Sequence, residues 1–202
     1  MVILHGATRA LAQLQPLTAL LTDFDVILAC LPKHNNAPAL SEVSVEVFAA
    51  AYSEALQATL VGRRVLFVGE SLGGVVGLAM GRKPPTCLAG VVALDPFLEG
   101  DIWPLRHIVD NNLAAAVNAT FRGSYQYLLE DQLVPVHIVA GDSLLDVRAP
   151  KSLPSLLRQE DRPMVVDRAS LTVVRGGHHL IAENPEGCSD AIRASAAAIW
   201  RR

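Results

Sequence analysis

Short apolar runs alternate with longer amphipathic stretches along the whole chain. Residues 2–5, 25–30, 65–68, 91–94, 136–140 and 171–174 are runs of this kind, most of them rich in Val, Ile or Leu, and each predicts a buried strand. Between them, segments at about 8–22, 43–60, 72–82, 151–160 and 186–200 carry the pattern of amphipathic helices. The stretch from Ser44 through Phe48 to Tyr52 repeats apolar residues at helical spacing, and 191–200 is Ala-rich and ends on Trp200. Strands and helices in alternation predict an α/β fold: a mostly parallel sheet of about six strands with helices on both faces, in three layers. Ligands of such sheets bind at the C-terminal ends of the strands, so the residues just after each apolar run are the ones to search for chemistry.

One stretch breaks the rhythm. Residues 96–133 contain no clear strand but do contain Trp103, Phe121, Tyr125 and Tyr127, and 108–120 reads as helical. It is either a crossover helix with loops or a small lid over the active face, with Trp103, Phe121 and Tyr125 as apolar walls. No repeat, low-complexity linker or shift of composition divides the chain, which predicts a single domain over 1–202 with 96–133 as the lid insertion.

The strand at 65–68 runs into Gly69-Glu70-Ser71-Leu72-Gly73-Gly74, which is G-x-S-x-G between a strand and a helix. Small residues on either side permit a tight turn that lifts the Ser71 hydroxyl clear of the sheet, beside a helix N-terminus. A serine hydroxyl needs a base to take its proton. Gly176-Gly177-His178-His179 follows the last strand, and a histidine in that glycine-bounded loop can reach over Ser71; His178 is the favoured base and His179 its alternative. His34, His107 and His137 lack such a setting and read as structural or pocket-lining. The imidazole in turn needs a carboxylate to hold its tautomer. Asp146, in the loop beyond the strand at 136–140, is the favoured acid; Asp142 in the same loop and Asp95 after the preceding strand are rivals. The Leu72 N–H, next after the nucleophile, would be one donor to an oxyanion, and the N–H of Ala7 (or of Gly6), after the first strand, the other.

Composition narrows the classes. With 202 residues, 51% apolar and 18% charged, the chain can bury roughly 70% of its unfolded surface in one core. No apolar run reaches the roughly 18 residues of a membrane span, and the opening residues lack the pattern of a signal peptide, so the cytoplasm is the expected location. A net charge of −3 gives no reason to expect nucleic acid or an anionic membrane as partner. Three cysteines, Cys30, Cys87 and Cys188, without C-x-x-C spacing predict buried thiols rather than a disulfide framework or zinc site.

With His-Gly after the first strand, Gly-Glu-Ser-Leu-Gly-Gly at the elbow, a Gly-to-Asp loop and Gly-Gly-His-His before the last helix, the chain resembles the α/β-hydrolase family over nearly all its length. The resemblance implies a Ser-His-Asp triad that cleaves a small-molecule ester, thioester or amide through an acyl-enzyme, without metal or organic cofactor. A serine at position 71, where other branches of the family carry aspartate, argues against dehalogenase and epoxide-hydrolase chemistry. The expectation is therefore an esterase or thioesterase. An acyltransferase or C–C lyase using the same triad, or a catalytically silent binding protein, is the alternative. Two departures from the family stand out. The loop from Gly141 to Asp146 is long, and the chain opens at the strand that usually comes third, which would expose a sheet edge and allow a homodimer.

Overall fold

All six apolar runs enter one sheet, in the order β2-β1-β3-β4-β5-β6, and every neighbouring pair is parallel. The strands are β1 (Val2–Leu4), β2 (Ile27–Ala29), β3 (Val65–Glu70), β4 (Leu88–Leu94), β5 (Val136–Gly141) and β6 (Ser170–Val174). The helices are α1 (Gln15–Thr18), α2 (Val45–Thr59), α3 (Leu72–Arg82), α4 (Arg162–Arg168), α5 (Leu180–Glu183) and α6 (Pro185–Trp200). The computed structural model describes residues 1–201 except 8, 33, 35, 36, 39, 101–119 and 144–152.

Strand periodicity sorts the core into two layers. Val65 and Phe67 of β3 pack with Phe48 of α2 and Val75 of α3. Leu66 and Val68 face the other way, to Leu17 of α1 and to Ile192 and Ala196 of α6. Helix α2 starts where Ser44 accepts the Val47 N–H at 3.1 Å, and α6 where Asn184 accepts the Gly187 N–H at 2.9 Å with Pro185 in the first turn.

The sheet order places the functional end. From β1 the chain goes outward to β2, then returns to place β3 on the other side of β1. The ends of β1 and β3 therefore flank a topological switch point, where a crevice opens. Ser71 follows β3 and Gly6 follows β1 shortly after its last residue.

Two expected helices differ. The 8–22 segment is a 3-10 turn at Leu11–Leu14 followed by the short α1, because Pro16 fits only the start of a helix. In the 151–160 segment the described residues 153–158 are irregular, and α4 begins only at Arg162. Their backbone is engaged elsewhere: Leu153 O accepts from His178 N at 2.8 Å, and Leu156 N donates to Asp95 Oδ2 at 2.8 Å. Of the 96–133 stretch, Trp103 and most of the helix expected over 108–120 lie outside the described residues. Its two ends are clipped together, with Gly100 N donating to Gly123 O at 2.8 Å and Tyr125 N to Leu98 O at 2.7 Å. Phe121 and Tyr125 are buried against Phe97, with ring centroids 5.2 and 5.7 Å away, and pack in the core.

Strand β2 is an edge of the sheet and leaves Ile27 and Leu28 exposed. Among the described residues no helix is long and apolar enough to cross a membrane.

Candidate active site

Ser71 sits between β3 and α3 with φ 54° and ψ −118°, a backbone conformation rare for a residue with a side chain. Small neighbours make the turn sterically feasible. A methyl group on Gly69 would stand 2.1 Å from the Gly73 carbonyl oxygen, and one on Gly73 would stand 2.5 Å from the Leu4 carbonyl oxygen. Only glycine lets the turn close against itself and against β1. Ser71 is buried but not sealed, at 6% exposure. Leu72 is the first residue of α3, so its N–H has no partner within the helix and lies at the positive end of the helix dipole.

His178 is buried, and its Nδ1–H donates to Asp95 Oδ2 at 2.7 Å. Asp95 is wholly buried just past β4, where its φ is 44° and its N–H donates to Val139 O at 2.7 Å. Among the described residues, every group that hydrogen-bonds its carboxylate is a donor. Ser155 Oγ–H donates to Oδ1 at 2.5 Å, Gly141 N–H to Oδ1 at 3.3 Å, and Leu156 N–H to Oδ2 at 2.8 Å. An acceptor so surrounded places the His178 proton on Nδ1 and leaves Nε2 free to take another. The aspartate joined to the imidazole is thus Asp95. Asp146 lies outside the described residues. Asp142 serves the turn: its Oδ1 accepts the Gly176 N–H at 3.0 Å, which supports the loop leading to His178. His179, its ring centroid 5.3 Å from that of His178, is held down at about 4 by burial first, then by His178 and Arg9. It is neutral at pH 7.

The turn after β1 is tied from several sides. Gly6 O accepts from His5 Nδ1 at 2.7 Å and from the Arg9 N–H at 3.0 Å. His5 Nε2 accepts the Leu31 N–H at 3.2 Å, and burial keeps the His5 imidazole below its ordinary pKa, so the ring is a neutral linker. The N–H and C=O of a trans peptide point opposite ways, so fixing the Gly6 carbonyl fixes the direction of the Ala7 N–H. His34 Nε2 meets Ala7 O at 2.7 Å and anchors the following carbonyl. A methyl on Gly6 would stand 3.1 Å from Ser71 Cβ, so this turn lies directly against the serine. Ser71 N donates to Leu94 O at 2.9 Å, one residue before Asp95, which brings the exits of β3 and β4 together.

Three features escaped the sequence reading. They are the Ser155 and Leu156 donors to Asp95, the His34 anchor on Ala7, and a buried pair between Arg9 and Glu70. Only the last left a signal: Glu70 is a charged residue ending a wholly buried strand, which requires a partner. His137 bonds Thr172 Oγ1 at 2.7 Å and also Ser195, fastening α6 to the sheet. Among the described residues no group of three or more His, Cys, Asp or Glu could hold a metal ion.

The family model described as the alpha/beta hydrolase family matches residues 1–191. No curated protein matches the chain in sequence. Among solved structures, a lipase-esterase related protein from Clostridium acetobutylicum superposes with a TM-score of 0.75 at 18% identity, covering 96% of this chain and 92% of its own. A thermophilic esterase from Thermogutta terrifontis gives 0.73 at 17% identity, over 98% and 89%. A thioesterase domain from the curacin biosynthetic pathway gives 0.66 at 18% identity, over 98% and 89%. At such identities the structural likeness speaks for the fold. With a family match over nearly the whole chain and a serine elbow on a parallel sheet, the chain belongs to the alpha/beta hydrolase family.

Proposed function

We propose that the chain is a serine hydrolase acting on a carboxylic ester or acyl thioester through an acyl-enzyme. Ser71 is the nucleophile, His178 the general base, Asp95 the acid that orients it, and the N–H groups of Leu72 and Ala7 the oxyanion donors. The observation that carries this reading is the buried 2.7 Å bond from His178 Nδ1 to Asp95, at the strand ends where the Ser71 elbow also sits. Asp95 takes the role that the sequence assigned first to Asp146. The names of the structural relatives, esterases and a thioesterase, support the substrate class.

In the proposed reaction the Ser71 hydroxyl proton passes to His178 Nε2 as Oγ bonds to the acyl carbon. The carbonyl oxygen then carries the negative charge, facing two backbone donors. Collapse expels the alcohol or thiol, which takes the proton from Nε2–H and leaves acyl-Ser71. A water molecule gives its proton to Nε2, attacks the acyl carbon, and releases the acid as the proton returns to Oγ.

The test is fluorophosphonate labelling with peptide mapping, alongside p-nitrophenyl ester and acyl-thioester turnover. One label per chain at Ser71, lost in Ser71→Ala and in His178→Ala, is the expected result. A folded chain that takes no label and turns over none of these substrates would overturn the reading.

A further inference from the structure

A buried ion pair stands beside the nucleophile with no part in the proton relay. Arg9 Nη2 donates to Glu70 Oε1 at 3.2 Å, and the two side chains are only 8% and 2% exposed. Burying two charges costs several times what a surface pair returns, and an apolar pair of like volume commonly gives an equally stable fold. The other Glu70 oxygen, Oε2, is buried without a partner among the described residues, which satisfy the carboxylate on one side only. Stability alone does not account for such a pair.

Its position does. Glu70 immediately precedes Ser71, and Oε2 lies 3.6 Å from where a methyl on Gly6 would stand. Arg9 closes the turn from the other end, with its backbone N–H on the Gly6 carbonyl and its guanidinium on Glu70. One residue thus ties the turn carrying the Ala7 N–H both to itself and to the nucleophile elbow. Resting on the proposed serine-hydrolase reading, we propose that Arg9 and Glu70 are positioning residues that clamp the Gly6–Arg9 turn to the elbow and so preset the oxyanion site. Neither side chain touches the substrate.

The test compares Arg9→Met, Arg9→Lys, Glu70→Gln and the double variant Arg9→Met/Glu70→Met. It reads kcat and KM for p-nitrophenyl acetate and inhibition by an aryl trifluoromethyl ketone, whose serine adduct carries an oxyanion. Arg9→Met should lose about 10- to 100-fold in kcat with KM within about 2-fold. Its affinity for the ketone should fall by the same factor as kcat/KM. Arg9→Lys should recover part of the loss, and Glu70→Gln, which keeps an oxygen for Arg9, should lose less. The double variant guards against misfolding, since no charge is left unpaired; it should melt at or above the wild-type temperature yet keep the low kcat and the weak ketone binding. A folded double variant with wild-type kcat and ketone affinity would overturn the clamp alone. A wild-type chain that neither hydrolyses the ester nor reacts with a fluorophosphonate would overturn the catalytic reading and the clamp with it.

Discussion

Ser71 and Asp95 each leave one of two neighbouring parallel strands by a step of positive φ, 54° and 44°. The two steps are coupled, because Ser71 N donates to Leu94 O, the carbonyl just before Asp95. Among the described residues only Asp131 shares such a backbone without being glycine. Each position costs about 1–3 kcal/mol and persists only where its surroundings impose it. Here the step turns a hydroxyl and a carboxylate out of the ends of adjacent strands.

Replacing the carboxylate should separate geometry from chemistry. Asp95→Asn presents an amide to His178 Nδ1 and disturbs the tautomer, so kcat should fall by about 10³- to 10⁴-fold. Ser155→Ala removes one donor to Asp95 and should lower kcat by a smaller factor, at most about 10- to 100-fold, the order of one hydrogen bond to a charged group. Steady-state kinetics on p-nitrophenyl acetate would check the ranking. Equal losses would mean that Ser155 does more than hold the acid.

Two glycines should fail in different ways. In Gly73→Ala the new methyl meets the backbone oxygen of Leu4 at 2.5 Å, and backbone cannot yield cheaply. A loss of about 3 kcal/mol or more is expected in urea unfolding. In Gly6→Ala the methyl stands 3.1 Å from Ser71 Cβ, so stability should change less and kcat more.

Acid should weaken the fold through its histidines. Burial lowers the pKa of His5, His137 and His179, the last to about 4. A histidine depressed in the native state binds its proton more readily in the unfolded chain, so its contribution is full above the unfolded value of about 6.5 and fades as pH falls. The urea midpoint should drop between about pH 7 and pH 4, and His179→Gln should flatten that slope. A midpoint that rises over this range would contradict the neutral state assigned to these rings.

Thiol chemistry gives a simpler check. Cys188 is buried, and burial pushes its thiol up to about 12; Cys87 is buried and also raised. Iodoacetamide should modify neither in the native protein and both in urea, while the half-buried Cys30 should react first. Mass spectrometry of the alkylated peptides would read the order.

The parallel sheet was legible because its four central strands, β1, β3, β4 and β5, are almost wholly buried and therefore read as short runs of Val, Ile and Leu, while the more exposed edge strands β2 and β6 still carry apolar runs. The strand-end turns that carry Ser71 and His178 were legible because Gly69 and Gly73 flank the one and Gly176-Gly177 precede the other. Asp95 ranked below Asp146 because loop length and order along the chain carry no record of which carboxylate meets the imidazole. That choice is made by donors from distant segments: Gly141 at the end of β5, and Ser155 and Leu156 before α4. The same donors explain why 153–158 is not the expected helix, since two of its backbone groups are committed to Asp95 and His178. Arg9 and Glu70 are 61 residues apart, and no local pattern joins them.

The sheet order gives the candidate triad an uneven footing. Ser71 and Asp95 follow β3 and β4, each flanked by strands on both sides, whereas His178 follows β6, which pairs with β5 alone. Edge segments open more easily than central ones. On warming, amide protons near His178 should exchange before those around Ser71 and Asp95. Turnover should then fade while most of the sheet is still protected, with Ser71 still in place and its proposed base displaced.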